Sequence, residues 1–293
     1  MRTWNFFLPQ LTADNSYTFY SEEFEETFHS QQGAKTEAEQ KFIAPSKLNI
    51  KARQPVVKLL DICYGLGYNT AAALAQIWTV NPYCFVEIIA LESNADVPKS
   101  AIERGLLASW ELEIQQILTP LANNYQVQTT RGQGTLLIGD ARQTIKLIPP
   151  SFSADAIFLD PFSPPKCPQL WTIEFISLVA NYLHPEGILA TYSAAAAVRA
   201  ALQAAGLYIG AATSVGRRSP STIAAKHQLP PLSTIEQEHL LTRAATPYRD
   251  PFLQDLSAVI LHRRQQEQQT SLLEPTARWH RRTRKKLHQR SVI

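Results

Sequence analysis

The run from Val56 to Thr70 constrains this chain most. Residues 56–62 are apolar and β-prone with Asp61 near the end, and Cys63-Tyr64-Gly65-Leu66-Gly67-Tyr68-Asn69-Thr70 leads into an Ala-rich helical stretch over 71–78. Strand, tight glycine turn and helix in that order form a nucleotide-binding unit: the glycines let backbone approach a ligand, and the helix N-terminus offers N–H groups. A Gly-x-Gly alone is weak evidence. Here the flanks supply the context.

Units of the same kind follow. Residues 85–91 are an apolar run ending at Glu92. An acid at the tip of a second strand can accept hydrogen bonds from both hydroxyls of a ribose, and the competing role is a surface acid opening the loop 93–98. Residues 101–121 have a helical pattern, and 126–131 with 135–139 read as a hairpin around Gly132-Gln133-Gly134, ending in Asp140-Ala141. Asp140 could hold an adenine amino group or cap the helix over 142–148, and one carboxylate could do both.

The third acid, Asp160, follows the apolar run 155–159 and opens Asp160-Pro161-Phe162-Ser163-Pro164-Pro165-Lys166. Prolines fix φ and remove backbone donors, so the loop is stiff and its carbonyls are expected to stay open. A carboxylate with free carbonyls suits an amine. The plainer alternative is a Pro-rich turn whose acid caps the helix near Trp171. That helix, over 172–183, has an apolar stripe at Ile173, Ile176, Val179, Ala180 and Leu183; His184-Pro185-Glu186-Gly187 ends it. A strand over 188–192 and a helix over 193–205 come next. This succession of strand-to-helix units predicts a parallel, doubly wound α/β sheet.

Outside this centre the patterns change. Residues 1–55 read as an N-terminal extension that covers or helps form the site, with a hairpin from 16–21 and 26–30, a helix over 33–43 and a polar connector over 47–55. Residues 216–221 are a basic turn in which Arg217 and Arg218 face phosphate or simply solvent; 229–255 are Pro-rich, and 258–261 read as a final strand. The expected division is an extension over 1–55, a catalytic domain over 56–264 and a basic tail over 265–293.

The chain has 293 residues, 45% of them hydrophobic, enough for one large domain with additions. It has no membrane-length apolar run, and its N-terminus lacks a signal-peptide pattern, so a cytoplasmic protein without membrane contact is expected. Cys63, Cys84 and Cys167 are scattered, predicting neither a disulfide framework nor a metal site. The formal charge is +3, but Arg278, Arg281, Arg282, Arg284, Lys285, Lys286 and Arg290 cluster without an acid. Such a tail contacts phosphates or is a solvated terminus.

Asp61-x-x-x-Gly65-x-Gly67, Glu92, Asp140-Ala141 and the Asp160 loop resemble the class I S-adenosylmethionine methyltransferases, which implies a Rossmann-like fold. More closely, residues 155–171, Gly187 to Ser193, Val198-Arg199, Gly216-Arg217-Arg218 and the opening Tyr20-Ser21 with residues 25–30 resemble the methyltransferase half of the bifunctional MnmC family of tRNA-modifying proteins. Coverage is roughly 16–225. The resemblance implies N-methylation of 5-aminomethyl-(2-thio)uridine at the tRNA wobble position, with S-adenosylmethionine as cofactor and no metal. The chain ends before a second Gly-x-Gly-x-x-Gly unit, so no FAD domain is expected. The partner implied is tRNA through its anticodon stem-loop, with the basic tail on the phosphate backbone and a monomer as the working expectation.

The roles implied are Asp160 as the catalytic acid–base, and Asp61, Gly65, Gly67, Asn69, Glu92, Asp140 and Ala141 around the cofactor. Tyr20, Phe162, Lys166, Ser193, Arg217 and Arg218 are implied at the substrate, with Phe162 stacking on the base and Lys166 meeting phosphate. Asp61 and Tyr64 stand where relatives often have Glu and Phe, and Pro161 where they often have Gly, which stiffens the loop beside the base. Rival readings are methyl or aminopropyl transfer to a small amine, a silent RNA-binding relative, and a dehydrogenase, the last disfavoured by the missing third glycine.

Overall fold

The computed structural model describes residues 7–212 and 221–290, so Arg217 and Arg218 lie outside the described residues. Eight strands form the central sheet: β1 (Val56–Ile62), β2 (Phe85–Glu92), β3 (Gln126–Gln128), β4 (Gly132–Ile138), β5 (Ala154–Leu159), β6 (Leu183–Thr191), β7 (Tyr208–Ala212) and β8 (Ser221–Ala225). Their order is β7-β8-β6-β5-β1-β2-β4-β3. Strands β6, β5, β1, β2 and β4 run parallel, whereas β8 is antiparallel to both β6 and β7, and β3 to β4.

Alternation along the strands divides the core into two. Leu59, Ile88, Ala156 and Phe158 point to one face, packing with the helices Tyr68–Val80 and Leu112–Asn124 and with Phe19, Phe42 and Leu48 of the N-terminal segment. Leu60, Leu91, Ile157 and Leu159 point to the other, against Ile173–Asn181 and Ala196–Ala204. Strands covered on both faces read as continuous apolar runs. Every residue of β5 is buried for this reason. The N-terminal segment contributes two short antiparallel pairs, Gln10–Leu11 with Tyr17–Thr18 and Tyr20–Ser21 with Glu26–Thr27.

Several sequence expectations change. Gly132 and Gly134 are not in the turn but within β4; a Cβ on Gly132 would lie 2.8 Å from the Val86 carbonyl oxygen, so close strand approach demands the glycine. The turn comes earlier, where Thr129 N–H donates to the Gly132 carbonyl at 2.8 Å. The helical stretch 101–121 is two helices, Asp96–Glu103 and Leu112–Asn124, and the connector 47–55 contains the short helix Leu48–Lys51. Residues 184–187 belong to β6. Residues 258–261 lie in the helix Ser257–Thr270, where Ile260 is buried and Val259 exposed. A four-residue apolar run carries no period that separates strand from helix. That helix runs across residue 264.

Candidate active site

At the end of β1 the chain turns left-handed at Cys63 (φ 68°), Gly65 (φ 55°) and Gly67 (φ 91°). Cys63 and Tyr64 donate their N–H groups to the Leu91 carbonyl at 3.0 and 2.9 Å, tying the turn to the tip of β2. A Cβ on Gly67 would sit 2.6 Å from the Tyr64 hydroxyl. Asp61, beneath the turn, is fully buried and accepts from Thr70 Oγ1 at 2.7 Å, while its Oδ1 has no partner. Burial, with the nearby Glu92 charge, pushes its carboxyl up to about 7.

Glu92 closes the other side of the turn. Its Oε2 accepts from Gly65 N–H and its Oε1 from Asn94 N–H, both at 2.9 Å. Burial raises its carboxyl above the ordinary value against these bonds. Asp140 caps the short helix Ala141–Thr144, accepting from Arg142 N–H at 2.9 Å. Partial burial pushes its carboxyl up, but the Arg142 guanidinium outweighs that and holds it below the usual range. Arg142 in turn reaches Asp250 Oδ2 at 2.7 Å. The capping role is thus occupied, and Asp140 still faces the cavity described next.

A cavity of about 1260 Å³ runs along the strand ends, lined among others by Gly65, Asn69, Glu92, Asp140, Ala141, Asp160, Phe162 and Tyr20. Asp160 N–H donates to the Ile62 carbonyl at 3.1 Å, and its Oδ2 accepts from Asn69 Nδ2 at 2.8 Å. Burial, then the charge of Glu37, raises the Asp160 carboxyl well above its ordinary value.

The carbonyls expected to stay open in the proline loop are engaged: Tyr192 OH donates to the Pro161 oxygen at 3.0 Å and Trp171 Nε1 to the Phe162 oxygen at 2.9 Å. The acceptor left to the cavity at this strand end is therefore the Asp160 carboxylate, not a ring of backbone oxygens. Phe162 is stacked on Phe24, centroids 4.3 Å apart, with Phe28 edge-on at 5.0 Å. Lys166 is paired with Glu25, and Ser163 N–H donates to Glu26 at 2.9 Å. Asp61, Gly67, Lys166 and Ser193 stand outside the cavity wall. Ser193 is buried, and its carbonyl accepts from Thr222 Oγ1 at 2.7 Å.

The sequence reading missed the other lining groups of the N-terminal segment: Phe24, Glu26, Phe28, His29, Glu37 and Lys41. Burial lowers the His29 imidazole to about 4, so it is neutral at physiological pH. Glu37 and Lys41 stand four apart on a helical pattern, and that spacing was the available signal. Among the described residues no cluster of His, Cys, Asp and Glu could hold a metal ion, and no helix is long and apolar enough to cross a membrane.

A mostly parallel sheet with strand β8 reversed beside one edge and β3 reversed at the other, a glycine turn after β1 and acids at the ends of β2, β4 and β5 define a class I methyltransferase. A family model described as an S-adenosyl-L-methionine-dependent methyltransferase matches residues 105–227. The crystal structure of MnmC2 from Aquifex aeolicus is similar at a TM-score of 0.77 and 32% identity, over 90% of this chain and 85% of that one. An uncharacterised protein of Methanocaldococcus jannaschii is 32% identical over 251 residues, 83% of this chain and 67% of that protein. The tRNA 5-methylaminomethyl-2-thiouridine biosynthesis bifunctional protein MnmC of Ralstonia nicotianae is 29% identical over 228 residues, 74% of this chain. The chain spans 34% of that bifunctional relative's length. It belongs to this S-adenosyl-L-methionine-dependent methyltransferase family, alongside MnmC2.

Proposed function

We propose that this chain methylates the primary amine of 5-aminomethyl-(2-thio)uridine at the tRNA wobble position. The carrying observation is the Asp160 carboxylate, held by Asn69 at the end of β5 and facing a cavity that also contains Glu92 and the glycine turn. The names of the MnmC relatives supply the nucleoside. Bound S-adenosylmethionine supplies an electrophilic methyl group. The residues present suit it: a turn without side chains at Gly65 and Gly67, a buried Asp61 with an unpartnered oxygen, and an acid-lined wall for a cationic ligand. Gly65 and Asn69 would frame its amino-acid end, Glu92 its ribose, and Asp140 with Ala141 its adenine.

The substrate amine arrives as an ammonium and must lose a proton before it can attack. Asp160 takes that proton; its raised proton affinity brings it closer to that of an alkylamine, which eases the transfer. Asn69 keeps the carboxylate oriented, and the bonds from Tyr192 and Trp171 hold the loop that carries it, so the proton acceptor for the amine is positioned in advance. Tyr20, exposed at the cavity edge, and the Phe24–Phe162 stack offer aromatic surface to a splayed base.

One observation favours a second reading. Glu22 and Glu23 line the cavity and are exposed, and an acidic rim suits a small cationic amine better than a phosphate backbone. Mass analysis of tRNA nucleosides from a strain lacking the gene decides between the two. Accumulated 5-aminomethyl-2-thiouridine supports the tRNA reading; unchanged nucleosides, with methyl transfer by the pure protein to a polyamine, support the other.

A further inference from the structure

The N-terminal segment brings an ion pair into the cavity that Asp160 lines. Ala38–Ile43 is a π-helix, closed by Ala44 N–H on the Glu39 carbonyl at 2.9 Å, and Glu37 stands at its start. Insertions of this kind distort a helix at a cost and recur at functional sites. Here the distortion accompanies an ion pair between Glu37 and Lys41, whose side chains are only 11% and 22% exposed. The second Glu37 oxygen accepts from Ser30 N–H at 2.8 Å, which fixes the carboxylate in place. Lys41 Nζ lies 5.6 Å from the Tyr192 ring centroid, and Tyr192 holds the carbonyl next to Asp160. Glu37, Lys41, Tyr192 and Asp160 all line one cavity.

We infer that Glu37 and Lys41 are positioning residues for the reacting amine: Glu37 supplies a second negative charge that draws the ammonium to Asp160 and strengthens Asp160 as its proton acceptor, and Lys41 limits that effect. This rests on the amine-methylation reading above and deepens it. The charged, titratable and hydrogen-bonding groups that act on Asp160 are Glu37 from the end of the helix Ala34–Glu37, Lys41 from the π-helix, Asn69 from the helix after the glycine turn, Asp61 and Cys63 from β1 and its turn, and Tyr192 just after β6. Burial contributes most to the raised carboxyl, then Glu37, and Lys41 opposes. In the forward step the ammonium gives one proton to the Asp160 carboxylate, and the amine lone pair forms the new N–C bond as the methyl–sulfur bond breaks. The product leaves as a secondary ammonium, and Asp160 returns its proton to solvent.

The consequence is a pair of opposite shifts from one ion pair. Glu37→Gln removes the like charge and leaves Lys41 unpaired, so the Asp160 carboxyl ionises at lower pH. Lys41→Met removes the cation and leaves Glu37 unpaired, so it ionises at higher pH. Two measurements test this on the full chain. The first is the carbon-13 carboxyl titration of Asp160, with the resonance assigned by Asp160→Asn. The second is the acid limb of kcat with aminomethyl-bearing tRNA and S-adenosylmethionine.

Shifts on the order of one pH unit in opposite directions are expected, each a tenfold change in rate at a fixed pH on that limb. Glu37→Asp, which keeps the charge, should move the profile back towards wild type. Shifts in the same direction, or none, in variants that still bind cofactor normally overturn the inference. Should the wild-type protein transfer no methyl to this tRNA, the functional reading fails instead, and the carboxyl titration still decides the role of the pair.

Discussion

Asn69 Nδ2 donates to Asp160 Oδ2 at 2.8 Å, a hydrogen bond from the first turn of the helix after the glycines to the end of β5. The two residues follow adjacent strands whose register sets Ile62 opposite Leu159, so the sheet itself fixes their separation. On the proposed function, a cofactor-side and an amine-side group thus meet through one short contact, and in-line transfer demands such proximity.

Asp160→Ala should retain cofactor binding and lose methyl transfer by about 100-fold or more, the usual weight of a positioned acid–base group. Asp160→Asn separates the roles, because an amide can still orient the nitrogen but is a poor base. Single-turnover rates with saturating cofactor provide the measurement. Near wild-type turnover by the alanine variant at neutral pH would take Asp160 out of the chemistry.

Glu92→Ala leaves the N–H groups of Gly65 and Asn94 without their acceptor and removes the proposed ribose partner. Charge-assisted hydrogen bonds are worth roughly 1.5–3 kcal/mol each before water compensates, so affinity for S-adenosylmethionine should fall at least tenfold. Titration calorimetry reads this directly. Unchanged affinity would remove Glu92 from the cofactor site.

Asp61 makes the cofactor-free protein sensitive to pH. Its carboxyl is raised to about 7 in the fold, above its unfolded value, so its contribution is fully favourable below the unfolded value and is lost as pH rises through about 7. Asp61→Asn keeps an acceptor for Thr70 and removes the charge. The variant should gain Tm over wild type at about pH 8 and gain distinctly less at about pH 5, while binding cofactor less tightly. A Tm difference equal at both pH values would show that Asp61 does not titrate in this range.

The basic tail is testable without disturbing its packing. Trp279 is buried and stacks on His239 at 4.5 Å, and Arg282 pairs with Glu238 and Glu274, so a cut before Trp279 would damage the fold as well. Truncation after Thr283 removes Arg284, Lys285, Lys286 and Arg290 and keeps the Trp279 and Arg282 packing. Binding to tRNA should weaken, and the slope of log affinity against log salt should shrink by about 0.9 for each phosphate that the tail no longer neutralises. KM should rise while the saturated rate and cofactor affinity hold. Equal affinity and equal slope across a salt series would leave the tail without an RNA role.

By itself, the sequence determined the strand-to-helix units, the glycine turn and the placing of Glu92, Asp140 and Asp160 at strand ends. These are local signals: a doubly covered strand is apolar throughout, and a tight turn before a helix needs glycine. Tertiary structure alone decided that Ser221–Ala225 runs reversed between β6 and β7, because a five-residue strand carries no mark of its direction. It also decided that Tyr192 and Trp171 take the loop carbonyls, that Phe24 covers Phe162, and that Glu37 and Lys41 line the same cavity as Asp160. Each is a meeting of segments distant in the chain, fixed by how the N-terminal segment packs on the sheet, and no local pattern encodes such a pairing.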